Sequence, residues 1–207
     1  SGPEVWFDVT AAAGNRVILE ETSTVNATIQ RVATCGFTSC VANASSPEKL
    51  SWYNDTGAGA TVHFAVEGYS STEAGTMTVD VSNGPGDGYV CADPIDVSSS
   101  TSWSGDFGDW DNLWTGATGC GTASGPEVWF TASVPPSWTF EMLETGATDV
   151  VMQRGDACGT TGCLGYWDVP ETFTFGNTSG SFVVLFVAVE RKAAGTGAIS
   201  LTISNGP

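Results

Sequence analysis

The sequence predicts an all-β protein made of two tandem antiparallel β-sandwich modules, and three observations predict it. Apolar and polar residues alternate with period two in short runs. Clusters of Gly, Ser, Thr and Asn separate those runs at hairpin-like intervals, and no segment carries a helical stripe. The first part of the chain also recurs in the second, so the folding unit is present twice.

Taken in order, the first run is Glu4–Thr10, a β-branched and aromatic stretch behind a Gly-Pro turn. Its opening letters, SGPEVWF from Ser1, return at Ser124–Phe130 and give the equivalent strand Glu127–Ala132. Trp6 and Trp129 sit in this repeated strand and are expected in or beside the core. Adding 123 to the numbering also lays Glu21-Thr22 on Glu144-Thr145 and Gln30-Arg31 on Gln153-Arg154. The same shift lays Cys35 and Cys40 on Cys158 and Cys163. Thr61–Gly68 alternates, with Val62, Phe64 and Val66 on one face and His63, Ala65 and Glu67 on the other. Thr76–Val81 places Met77, Val79 and Val81 on one side, as Ile199, Leu201 and Ile203 do later. Ser82-Asn83-Gly84-Pro85 matches Ser204-Asn205-Gly206-Pro207 at a shift of 122, so one residue is lost in a loop between. At that shift His63 falls on Leu185.

Two domains follow: 1–85, a first module lacking an N-terminal arm, and 86–207, an arm (86–123) followed by the second module. The arm holds Trp103, Phe107, Trp110, Leu113 and Trp114, too much apolar surface to leave in water. Trp103, Phe107, Trp110 and Trp114 are therefore expected to dock it, most naturally on the second module.

Six Lys+Arg stand against 23 Asp+Glu, a net charge of −17 that argues against nucleic acid and anionic membranes as partners. No stretch reaches the roughly 18 apolar residues of a membrane helix, and the longest run, Phe182–Val189, is strand-sized. No signal peptide precedes Ser1, which reads as a mature or truncated start. The six cysteines show no paired CxxC spacing and the chain has one histidine, so disulfides made in an oxidising compartment are expected rather than zinc. The repeat suggests Cys35–Cys40 and Cys158–Cys163 bridges at hairpin tips, with Cys91 and Cys120 left to close the arm.

The order CADPI, a Gly/Asp-rich stretch and then CGTASGPEVWF resembles the bacterial pre-peptidase C-terminal (PPC-like) domain, found as tandem copies on large secreted proteins. Gly2–Phe7 and Gly125–Phe130 match its "GPDVVY-F" strand, and Asp149–Arg154 with Cys158 and Cys163 echoes its "DTVLYVR…C…C" segment. Val62–Tyr69 matches a further strand of the family, and Val183–Glu190 does so less well. The resemblance implies a jelly-roll-like β-sandwich, secretion, and a non-catalytic accessory role, with calcium or matrix binding in members appended to collagenases. This chain shows no peptidase segment.

Catalytic chemistry has few candidates. His63 lies on the polar face of its strand, the duplication does not repeat it, and no GxSxG elbow is present. A glycosidase needs only two carboxylates across a cleft, but nothing singles out a pair, and Glu4 and Glu127 fit a structural role. The stretch SGDFGDWDN supplies Asp106, Asp109, Asp111 and Asn112, oxygen donors on a Gly-containing loop that suit calcium. A turn in which Asx side chains bond their own backbone explains the same letters. Trp103, Trp110 and Trp114 could offer a carbohydrate platform as well as an anchor. Asn26, Asn43, Asn54 and Asn177 head glycosylation sequons.

A module beginning at SGPEVWF lacks the strand its arm would supply, and an uncovered edge is a pairing template. The expected function is a non-catalytic, extracellular or cell-surface structural or adhesive protein, a subunit or repeat unit of a fibre assembled head-to-tail with itself. The alternative is an accessory carbohydrate- or matrix-binding module appended to a secreted hydrolase.

Overall fold

The computed structural model describes residues 2–33, 40–45, 48–72, 75–110, 112, 120, 123–155, 157–158, 164–169 and 171–207. The chain divides into two compact units, Ser1–Gly86 and Asp87–Pro207, and each is a β-sandwich.

Unit 1 contains β1 (Glu4–Ala11), β2 (Asn15–Glu21), β3 (Ala27–Val32), β4 (Cys40–Ala44), β5 (Lys49–Tyr53), β6 (Ala60–Gly68) and β7 (Val79–Pro85). One sheet has the order β1-β6-β3-β4 and the other β5-β2-β7, all antiparallel. Alternation decides what lies between them. Ile29, Val62, Phe64 and Val66 of the first sheet meet Val17, Leu19 and Leu50 of the second in one buried cluster.

Unit 2 begins with β8 (Ile95–Asp96), β9 (Ser102–Asp106) and a single 3-10 turn (Phe107–Asp109). The second sandwich follows as β10 (Glu127–Val134), β11 (Thr139–Glu144), β12 (Val150–Gly155), β13 (Gly165–Trp167), β14 (Thr172–Gly176), β15 (Val183–Arg191) and β16 (Ala198–Gly206). Its sheets have the orders β13-β12-β15-β10-β8 and β14-β11-β16-β9. Seven strands repeat those of unit 1 in the same neighbour order, and β8 and β9 extend one sheet each. The β8–β10 pair is parallel, with Phe130 opposite Ile95 and Thr131 opposite Asp96.

The strand register corrects one alignment made from sequence. Glu4 faces Glu67 as Glu127 faces Glu190, so the shift of 123 runs through β6 and β15. His63, opposite Asp8, therefore corresponds to Phe186, opposite Thr131, and not to Leu185. Glu21 faces Val79 while Glu144 faces Leu201, which puts the lost residue in the loop after β6.

The disulfide pattern is a second correction. Cys91 pairs with Cys158, Cα atoms 5.3 Å apart, so neither Cys91–Cys120 nor Cys158–Cys163 forms. Cys40, at the start of β4, is an exposed free thiol, which excludes a Cys35–Cys40 bridge. Cys120 is bonded to a cysteine other than Cys91. Cys35 and Cys163 lie outside the described residues. Sequence equivalence misleads here because the arm brings Cys91 beside the second copy of a repeated cysteine.

Candidate functional site

The arm is the part of the chain that the duplication does not repeat, and its residues 87–110 close one side of the second sandwich. On the β10 edge, Trp129 N–H donates to Gly88 O, Val97 N–H to Thr131 O, and Ser133 N–H to the Ser98 hydroxyl. On the opposite sheet, β9 pairs with β16 from Ala198–Asp106 to Thr202–Ser102. Ile203 N–H donates to Thr101 O beyond it. Asn205 ties the two edges together, its Nδ2 donating to Ser98 O of the arm and Ser133 O of β10.

Apolar side chains fill the space those strands enclose. Trp103 meets Phe130 edge-on at 4.9 Å between ring centroids and lies 5.7 Å from Trp110. Tyr89, Val97, Phe107 and Trp110 are buried with them. Complete burial of such rings stabilises by about 1.5–3 kcal/mol each, enough to hold an arm whose β8 is two residues long. Trp103 and Trp110 thus spend their faces on the arm's own packing, and Trp114 lies outside the described residues.

The calcium candidates divide. Asp106 caps the 3-10 turn, its Oδ1 accepting from Gly108 N at 2.8 Å and from Gly197 N at 3.3 Å. Asn112 is exposed, and Asp111 lies outside the described residues. Asp109 sits within the turn itself. Among the described residues no group of three or more His, Cys, Asp or Glu is placed to hold a metal ion.

His63 Nδ1 lies 2.6 Å from Asp8 Oδ1 across the β1–β6 pair, an exposed cross-strand contact. A hollow of about 240 Å³ on unit 1 is lined by Arg31, Val41, Trp52 and Val62 among others.

A pair of carboxylates that the sequence did not single out lies on the outer face of the β10–β15 ladder. Glu127 and Glu190 oppose each other directly and are 1% and 0% exposed, so no substrate reaches them in this arrangement. Gln153 Nε2 donates to Glu190 Oε2 at 2.9 Å. Burial pushes the Glu190 carboxyl up to about 7, against the smaller opposing pull of that hydrogen bond. Unit 1 repeats the trio as Glu4, Glu67 and Gln30, with Gln30 Nε2 3.3 Å from Glu67 Oε2, but there Glu4 is exposed. The sequence signal was the equivalence of Gln30 with Gln153; the register was needed to add the acids.

Two of the four sequons are structural turns. Asn54 Nδ2 donates to Ala11, Ala12 and Ala58 carbonyls, and its Oδ1 accepts from the amide and hydroxyl of Thr56. Asn177 does the same with Val134 O, Ser181 O and Ser179. Both side chains are buried, so the folded protein offers neither amide to a glycosylation enzyme.

No protein-family model matches the chain, and no curated protein matches it. Among solved structures it is similar to the CUB1-EGF-CUB2 domain of human MASP-1/3, over 99% of this chain and 94% of that one. The identity is 9% and the TM-score 0.26. Likeness of that degree carries no argument about activity, and the fold is established by the strand order itself.

Proposed function

We propose that the chain is a non-catalytic structural or adhesive protein of the extracellular space, working as a repeat unit of a fibre in which arm strands complete sandwiches. One observation carries this reading. The arm adds a strand to each sheet of unit 2, while in unit 1 β1 and β7 end their sheets with no such strand among the described residues. A sheet edge is a template for a further strand, and head-to-tail sharing of strands propagates rather than closes. The Cys91–Cys158 bridge suits an oxidising compartment, and the net charge of −17 keeps such a surface soluble.

Negative-stain electron microscopy of native material, with intact-mass analysis beside it, tests the reading. Regular filaments are expected. Isolated particles at every concentration would overturn it in favour of modules that bind glycan or matrix for an attached enzyme.

A further inference from the structure

Building on the fibre reading, we propose that the side of unit 1 between β1 and β7 is a binding site for the arm of a further repeat, one carrying an uncharged or basic residue where this arm has Asp96. Unit 2 supplies the template. Val128 is 0% exposed beneath its arm, whereas the equivalent Val5 is 49% exposed. Ile203 is 3% exposed and the equivalent Val81 is 45% exposed. Phe130 and Leu201 are buried, while Phe7 and Val79 at the same places are only partly covered. Apolar side chains that one copy seals are thus left at the rim of an open side in the other.

The polar groups repeat as well. By the shared register, the N–H groups of Trp6, Thr10 and Val81 stand where those of Trp129, Ser133 and Ile203 reach the arm. Asn83 Nδ2 donates to Thr10 O at 2.9 Å, as Asn205 does to Ser133 O. Asn205 gives its second hydrogen to Ser98 O of the arm, and among the described residues Asn83 Nδ2 has only the one acceptor. Main-chain pairing of this kind supplies affinity, and side-chain pockets supply selection.

Selection comes from two positions. An aromatic ring at the place of Trp103 would rest on Phe7, as Trp103 rests on Phe130. An aliphatic–polar pair would run parallel to β1, as Ile95-Asp96 runs beside Phe130-Thr131. The second member then stands beside Asp8, where unit 2 has the neutral Thr131. Asp8 already has His63 Nδ1 at 2.6 Å, and a second carboxylate beside it would add repulsion that the neutral Thr131 does not. Asp96 therefore fits unit 1 less well than an uncharged or basic residue. This chain's own arm is moreover held in unit 2 by two strand ladders and the Cys91–Cys158 bridge.

The test uses the full oxidised chain and a synthetic peptide of residues 87–110 carrying Cys91→Ser and Asp96→Asn. Titration calorimetry should give one peptide per chain, with amide exchange slowed at residues 5–10 and 79–83. The peptide retaining Asp96 should bind less tightly. Val81→Glu in the chain, or Trp103→Ala in the peptide, should weaken binding by roughly tenfold or more, the loss of one buried side chain. The peptide variant decides the matter if the chain variant fails to fold. Absence of binding at millimolar peptide, or protection confined to β10 and β16, would overturn the site. Filaments without peptide binding would leave the fibre reading standing and remove this site. Peptide binding by material that never polymerises would do the reverse.

Discussion

The buried Asn177 amide donates to two backbone carbonyls, and its Oδ1 takes two donors from Ser179. Replacement by alanine removes the Asn177 donor from the buried Val134 O and one of the two donors to Ser181 O, which keeps the Ser179 hydroxyl. A buried carbonyl left unpaired costs about 1–3 kcal/mol. Asn177→Ala should therefore lower stability by about 2 kcal/mol in denaturant unfolding, and glycan mapping of the wild type should find Asn54 and Asn177 bare. Both asparagines were visible in sequence as sequons, and their spacing of 123 was the sign of a shared backbone role. Asx side chains serve turns and sequons with the same letters, so only burial separates the two. Glu190 carries a pH signature. Its folded carboxyl holds a proton up to about 7 while an unfolded glutamate releases it near 4.5, so the native state binds more protons between those values. Stability from this group is thus greatest below about pH 4.5 and declines as pH rises towards 7. Glu190→Gln should flatten that slope and make the variant relatively more stable above pH 7, as read by melting temperature against pH.

At the scale of elements, the turn from β10 to β11 shows how the two copies diverge under one geometry. Ser137 has φ of 67°, and Gly14 holds the same place in unit 1 at 75°. Ser137 N–H donates to Asn177 O as Gly14 N–H donates to Asn54 O, so the conformation is demanded by the same contact. A side chain there is strained, and Ser137→Gly should stabilise by about 0.5–1 kcal/mol after the added chain entropy of glycine is counted. Thermal unfolding of the single variant checks it. Long strands such as β6 and β16 were legible because nine residues give period two room to show. The two-residue β8 was not, since no alternation exists over two residues and parallel pairing needs partners distant in sequence. β9 was hidden by its serines and glycine, which read as loop until β16 supplies the ladder.

For the whole molecule, composition excluded more than it assigned. Duplication and alternation led to two sandwiches, whereas the cysteine pairing depended on where tertiary structure carries the arm, which no repeat encodes. The Cys91–Cys158 bridge spans 67 residues, and the chain-entropy model attributes about 4 kcal/mol to closing such a loop. Cys91→Ser should lower the stability of unit 2 by about that amount in calorimetry, while the unfolding of unit 1 stays unchanged. The same bridge has a mechanical meaning. Tension entering through the arm passes at Cys91 across the sulfurs to Cys158, bypassing the intervening polypeptide. With the bridge closed, those 67 residues, about 230 Å of extended chain, are withheld from the load path. Reduction of that bridge would return length to the load path, so its oxidation state, together with that of the Cys120 bridge, bears on whether unit 2 acts under force as a short stiff link or a long compliant one.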